Sequence, residues 1–221
     1  MTGVVLAGGT SVRMGMPKCG LILGGRTMLE RAVQRMLRLS PLVVVAGSAG
    51  VAIPSGVRVV QDARSGTGPL GGIHAALLAS RDDCAVVACD MPFFSIELLE
   101  YMADESRGKD AAVVRIGEYW EPLHAIYRPG CLPAIESLLH KTVSQGSASG
   151  SSYAADTRQP RVAELFGMVT VRSITEEEVS MFSDPSEIFF NINSPEDYLK
   201  AKSMSSSPGD RSLNDEVCGG P

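Results

Sequence analysis

No stretch of this sequence is apolar for long enough to cross a bilayer. Its longest apolar runs, Gly3–Ala7, Leu42–Ala46 and Cys84–Cys89, fall far short of the roughly 20 residues a spanning helix needs. The N-terminus enters a β-like run at once, without the basic region, apolar stretch and cleavage site of a secretory signal. A basic excess is missing too: 20 Lys and Arg stand against 25 Asp and Glu, for a net charge of −5. With no cationic surplus to release counterions from a polyanion, the balance argues against nucleic acid as a partner. The five cysteines, Cys19, Cys84, Cys89, Cys131 and Cys218, form neither a CxxC motif nor an even framework, which favours a reducing compartment and argues against structural zinc. His74, His124 and His140 stand apart with no HxxxH pair, and no GxSxG elbow is present. What remains is the composition of a cytoplasmic globular protein of 221 residues, 44% hydrophobic and 20% charged, with no membrane partner.

Short β-branched runs alternate with amphipathic stretches. Gly3–Ala7, Leu42–Ala46, Val57–Val60, Ala85–Cys89 and Ala111–Ile116 read as buried strands. Met28–Leu39 places Met28, Leu29, Ala32, Val33, Met36 and Leu37 on one helical face. Gly72–Ser80 and Cys131–His140 read as helices, as does Ser95–Glu105 with Ser95 as its N-cap. Gly117–Glu121 reads as a turn before a strand at Leu123–Tyr127, and Met168–Arg172 and Glu187–Asn191 as late strands. Ser194-Pro195-Glu196-Asp197 opens a last helix, with Ser194 as cap and Pro195 in its first position. Unbroken apolar strands separated by helices predict a three-layer α/β/α sandwich around a mainly parallel sheet. Residues 1–202 form one domain on this reading. The Ser/Gly/Ala-rich stretch 142–157 is expected to be a mobile surface loop, and 203–221 a disordered tail.

In such a sheet, ligands sit beyond the carboxyl ends of the strands, and four segments land there. Leu6-Ala7-Gly8-Gly9-Thr10-Ser11-Val12-Arg13-Met14-Gly15-Met16-Pro17-Lys18 joins glycines, which let backbone N–H groups approach an anion, to the cations Arg13 and Lys18. It lacks the GxxxxGK[ST] spacing of a Walker loop, and a plain glycine turn with two solvated cations is the competing reading. Gln61-Asp62 ends a strand ahead of Gly66-Thr67-Gly68-Pro69-Leu70-Gly71-Gly72. That stretch satisfies GxGxxG literally, with Asp90 about twenty residues on. Against a dinucleotide site stand Asp62-Ala63-Arg64-Ser65, which separate strand from glycines, and Pro69, which removes a donor where a pyrophosphate would sit. Cys89-Asp90-Met91-Pro92 places a carboxylate at a strand end, suited either to a hard divalent cation or to a turn. Asn191 and Asn193 could complete a phosphate or metal shell, or serve as turn formers.

Together these segments resemble the nucleotidyltransferases of the molybdenum cofactor guanylyltransferase type. The resemblance rests on Leu6-Ala7-Gly8-Gly9, Ser11, Arg13-Met14-Gly15, Lys18, Asp62, Gly68-Pro69-Leu70, Asp90-Met91-Pro92, Glu121-Pro122-Leu123 and Asn191-Ile192-Asn193-Ser194-Pro195-Glu196-Asp197, in that order, across residues 3–202. It implies a Rossmann-like nucleotidyltransferase sheet and Mg²⁺-dependent transfer of GMP from GTP to the molybdopterin cofactor, with release of pyrophosphate. Lys18, Asp90 and Arg13 would be catalytic. Leu6, Ala7, Gly8 and Gly9 would line guanine and ribose, Lys18 would hold the triphosphate, and Asp62, Gly68, Pro69 and Leu70 would complete the nucleotide site. Asp90 would ligate Mg²⁺, while Glu121, Asn191 and Asn193 would face the acceptor. The cofactor phosphate would attack the α-phosphorus directly, with no covalent enzyme intermediate. Transient contact with cofactor-delivery or molybdoenzyme-maturation proteins is the partner expectation.

This chain departs from the family pattern at Pro17, where many members carry an acid, and at Ala46-Gly47-Ser48, where a nucleotide-binding asparagine often stands. CTP-dependent transfer to the same cofactor or to a sugar or isoprenoid phosphate is the nearest alternative, with Gly9 favouring GTP. A non-catalytic nucleotide-binding homologue is the alternative from another class, and intact Lys18 and Asp90 argue against it.

Overall fold

The computed structural model describes residues 1–8, 17–47, 51–61, 67–146 and 161–205. In chain order the elements are β1 (Thr2–Leu6), β2 (Ile22–Leu23), β3 (Arg26–Thr27), α1 (Met28–Leu39), β4 (Val43–Ala46), β5 (Arg58–Val60), α2 (Gly68–Ser80), β6 (Cys84–Ala88), α3 (Ile96–Glu105), β7 (Ala111–Ile116), β8 (Tyr119–Tyr127), α4 (Leu132–Gly146), α5 (Val162–Leu165), β9 (Val171–Ile174), α6 (Glu176–Ser180), α7 (Pro185–Ile188) and α8 (Pro195–Ser205). Seven strands form one sheet in the order β5-β4-β1-β6-β8-β7-β9, in which β8 alone runs antiparallel to its neighbours.

Alternation along the strands separates two cores. Val5, Val45, Val87 and Val114 face the side covered by α1, α3 and the C-terminal helices. Val4, Leu6, Val44, Val86 and Val113 face α2, α4 and α5. The sheet is therefore covered on both faces, which is why its central strands carry apolar residues at every position. Helix starts follow the expected chemistry. The Ser95 hydroxyl accepts from Leu98 N–H, and Thr27 and Glu30 form a reciprocal capping box at α1.

Several expectations are corrected. Leu37 is 48% exposed, because Met28, Leu29, Ala32, Val33 and Met36 already fill the buried face of α1. Helix α2 begins at Gly68 rather than Gly72, since Pro69 in the first turn needs no N–H partner. The turn at 117–121 is shorter than expected: β8 is already paired at Tyr119, and its register against β7 shifts between Val113 and Val114. Pro122, which lacks a ladder donor, lies in that irregular stretch, and the Tyr127 hydroxyl donates to its carbonyl at 2.8 Å. Strand β9 lies at Val171–Ile174, later than predicted. Glu187–Asn191 is no strand. Asp184 caps a short helix there by accepting from Ser186 N–H, with Pro185 at its first position. Helix α4 continues through Gly146, into the stretch expected to be loop, because extending an already packed helix costs far less than nucleating one. The remainder, 147–157, lies outside the described residues, as does the tail beyond 205.

His124 is fully buried on β8, edge-on to Phe189 and near Phe94. Its Nε2–H donates to the Ser95 carbonyl at 3.1 Å, while Nδ1 has no hydrogen-bond partner among the described residues. Burial pushes its pKa down from 6.5 to about 4, and the Arg35 charge adds in the same direction. Because the folded value lies below the unfolded one, the stability conferred by neutral His124 is fully present above pH 6.5 and is lost as pH falls toward 4. The loss is on the order of 3 kcal/mol. In urea denaturation, His124→Gln should flatten the fall in unfolding free energy between pH 6.5 and 4 relative to the native chain. Parallel profiles would remove His124 as the titrating group.

Candidate active site

The chain passes from β1 to β4 on one side and reaches β6 on the other, so the loops after β1 and β6 diverge. A crevice at such a reversal is where open α/β sheets bind ligands. Pairing continues past the strand ends: Ala7 N–H donates to Ala46 and Cys89 N–H to Leu6, at 2.8 and 3.0 Å. Gly47, at φ +98°, approaches so closely that a Cβ there would stand 3.0 Å from Gly8 N. A side chain at position 47 would press on the Gly8 backbone. Among the described residues, nothing stands within 4 Å of where a Cβ on Gly8 would lie.

Three of the predicted side chains converge at this end of the sheet. The Lys18 ammonium donates to Asp90 Oδ2 at 2.8 Å and to Asn193 Oδ1 at 2.6 Å. Each partner is presented by a different element. Lys18 opens a single 3-10 turn, Lys18–Gly20, after Pro17. Asp90 follows β6, and Asn193 precedes α8. An ammonium offers only donors, so the orientation of the Asn193 amide is dictated by Lys18. About a quarter of each charged side chain in the Lys18–Asp90 pair is exposed, so solvent screens it and the pair itself adds little to stability.

The Asn193 loop is fastened independently. Ile192 N–H donates to the Asp90 carbonyl at 3.0 Å. Asp197 Oδ2 accepts from both Asn193 N–H and Ser194 N–H at 2.9 Å, and Ser194 Oγ accepts from Asp197 N–H at 3.1 Å. Those bonds, that from Asn193 N–H first, hold the Asp197 carboxyl below its usual range. Asp197 thus positions Asn193 as well as opening the last helix, a role whose one sequence signal is its cap-box spacing from Ser194. Asn191 Nδ2 instead donates to the Phe189 carbonyl, so it shapes the loop and does not join the Lys18 cluster.

Glu121 lies on β8, paired with Val114 near the carboxyl end of β7. Half-buried, its carboxyl is raised above the ordinary value by desolvation. Leu6 and Ala7 are buried at the end of β1, Gly8 is exposed, and Gly68, Pro69 and Leu70 open α2. Gly9, Arg13 and Asp62 lie outside the described residues. Cys19 and Cys89, the chain neighbours of Lys18 and Asp90, are buried; the Cys89 thiol holds Cys19 below its ordinary range, while Cys19 and burial push Cys89 up.

The donors around Lys18 are a carboxylate and an amide oxygen, hard ligands suited to Mg²⁺ but not to a soft metal. Among the described residues no three His, Cys, Asp or Glu side chains group into a self-sufficient metal cage.

A cation, a carboxylate and an open glycine backbone at the switch point are the equipment of a nucleotidyltransferase. The model of the MobA-like NTP transferase domain matches residues 3–154, and the chain belongs to that family. A protein of Pelotomaculum thermopropionicum named "Probable molybdenum cofactor guanylyltransferase" is 38% identical over 205 residues, covering 92% of each chain. One of the same name from Methanosarcina mazei is 32% identical over 210 residues, covering 89% of this chain and 87% of its own. Among solved structures, molybdopterin-guanine dinucleotide biosynthesis protein A from Archaeoglobus fulgidus superimposes with a TM-score of 0.73 at 28% identity, covering 93% of this chain and 99% of its own. The 2-C-methyl-D-erythritol 4-phosphate cytidylyltransferase of Thermus thermophilus shares the fold, with a TM-score of 0.60 at 18% identity over 92% of this chain and 98% of its own.

Proposed function

We propose that this enzyme transfers GMP from GTP to the terminal phosphate of the molybdopterin cofactor, releasing pyrophosphate. The observation that carries the reading is the meeting of Lys18, Asp90 and Asn193 at the switch point. Leu6, Ala7, Gly8 and Gly9 line the base and ribose, and Asp62 with Gly68, Pro69 and Leu70 completes the nucleotide side. Lys18 exchanges its bonds to Asp90 and Asn193 for triphosphate oxygens, and Arg13 adds charge from the same loop. Asp90, with Asn193 beside it, would hold Mg²⁺, and the ion would supply charge neutralisation for the departing pyrophosphate. Glu121 and Asn191 belong to the acceptor side. An oxygen of the cofactor phosphate attacks the α-phosphorus as the bond to the bridging oxygen breaks, so positioning and charge are all the protein must provide. The location is cytoplasmic, and the acceptor and product pass by transient contact with delivery or maturation proteins.

Thermal unfolding with Mg²⁺ and each nucleotide tests the donor. At a hundredfold excess over Kd, GTP should add about 2.7 kcal/mol, a rise of roughly 5–10 °C for a domain of this size. A rise with CTP alone would transfer the reading to a cytidylyltransferase. Lys18→Ala should weaken GTP binding by about 2 kcal/mol, roughly thirtyfold in a calorimetric titration. Unchanged affinity would remove Lys18 from the triphosphate. Asp90→Ala should keep a cooperative unfolding transition but lose Mg²⁺-dependent turnover; a native Mg²⁺ titration of activity would exclude Asp90 as ligand.

A further inference from the structure

Strand β8 breaks its register against β7 at one place, and the break redirects one acid. Val113 and Ala125 stand opposite each other and face the layer of α2 and α4. Regular alternation back along β8 would turn Glu121 to that layer as well. The next pair is instead Val114 with Glu121, and Val114 faces the layer of α3 and the C-terminal helices. Paired residues share a face of the sheet, so the shift aims Glu121 to the side that also buries Ile192, the neighbour of Asn193. Trp120, one residue earlier, goes the other way and meets Phe166. Val87, three residues before Asp90, pairs with His124, three residues after Glu121 on a strand running in the opposite direction. Asp90 and Glu121 thus leave the same end of the sheet from adjoining strands.

The carboxyl aimed there is left unmatched. Glu121 is half-buried, yet among the described residues its side chain has no hydrogen bond and no ion pair, and desolvation alone raises it. Every other acid withdrawn from the open surface among those residues has a donor, as Asp83 has in Arg128, Asp110 in Thr170, and Glu178 in Tyr101 and Arg172. Arg115 of the same hairpin is engaged by Glu118, the Gly117 carbonyl and the Trp120 ring. An unmatched carboxylate costs free energy in the free protein and favours a ligand that brings donors. We propose that Glu121 reads the pterin of the acceptor, its two carboxylate oxygens accepting from the N3–H and 2-amino groups of the aminopyrimidinone ring. Those donors lie side by side in one plane, as the two oxygens of a carboxylate do. Guanine carries the same edge, but the residues assigned to the nucleotide follow β1 and β5 and open α2, whereas β8 lies beyond β6 on the other side. An acceptor with an oxo group in place of the 2-amino group would set oxygen against oxygen and be rejected. The contact rests on the proposed function, which makes the acceptor a pterin.

Fluorescence titration of the full chain with free pterin and with lumazine, its 2-oxo counterpart, tests the contact without requiring turnover. The native chain should bind pterin roughly tenfold or more tightly than lumazine. Glu121→Gln should lose most of that preference, since its amide can set N–H against the 2-amino group, while keeping its affinity for GTP with Mg²⁺. The same variant should unfold at a temperature no lower than the native chain, because it removes a charge that nothing pairs. A lower temperature would show Glu121 already matched in the free protein and overturn the contact. Equal binding of pterin and lumazine, no binding of pterin, or undiminished pterin binding by Glu121→Gln overturns it as well. If the substitution weakens guanosine and spares pterin, Glu121 belongs to the donor base and the contact falls. In GMP transfer the variant should raise KM for molybdopterin roughly tenfold. Transfer with an unchanged KM leaves the functional reading standing and overturns the contact. Pterin selectivity through Glu121 in a chain that moves no GMP to molybdopterin upholds the contact and overturns the functional reading instead.

Discussion

Everything in this molecule is arranged around the parallel pairing of β1 with β4 on one side and β6 on the other. Val4 and Val5 are wholly buried, and each faces a different helical layer. Because the chain leaves β1 toward one neighbour and later returns to its other side, loops at the carboxyl ends part from one another. The opening is a product of connectivity and would exist whatever residues lined it. Sequence enters through the residues that prolong pairing just beyond the strands, Ala7 on Ala46 and Cys89 on Leu6. These fix where Gly8 and Asp90 begin their loops.

Chemistry at the opening is assembled from groups with little conformational choice. Asp90 leaves a strand pinned on both sides, and Asn193 is held by its own backbone N–H on Asp197 and by Ile192 on the Asp90 carbonyl. Lys18, long and on a short turn, is the adaptable member. A carboxylate and an amide held by backbone bonds thus face an ammonium on a long side chain with three rotatable donors. The closeness of Gly47 to Gly8 adds a steric limit on which residues can stand beside the loop after β1.

Much of this was legible in the chain. Val43–Ala46 and Cys84–Ala88 are apolar throughout because both faces of the sheet are covered, and a continuous run announces that burial directly. Ser95 and Ser194 were readable as caps because capping is local chemistry. Less legible was the stretch 185–191, where apolar Ile188-Phe189-Phe190 suggested a strand but Asp184 and Pro185 start a helix. The β2–β3 hairpin is only two residues long on each side, and its Gly24-Gly25 turn, with both φ positive, was the single clue. The pairing of Lys18 with Asn193 spans 175 positions, and no periodicity reports on it. Family resemblance put those residues in one site, and it also proposed Gly9, Arg13 and Asp62, which lie outside the described residues.

The position of Asn193 along the chain has a consequence for the order in which the protein comes into being. A chain synthesised from its N-terminus presents Lys18 and Asp90, with the strands that carry them, well before Asn193 exists. Until that segment is made, Asn193 cannot meet the Lys18 ammonium and Ile192 cannot meet the Asp90 carbonyl. Only when the segment preceding α8 folds back onto the loop after β6 does the crevice acquire its third wall. Maturation of the site is thus a timing event, and the last helix acts as its seal.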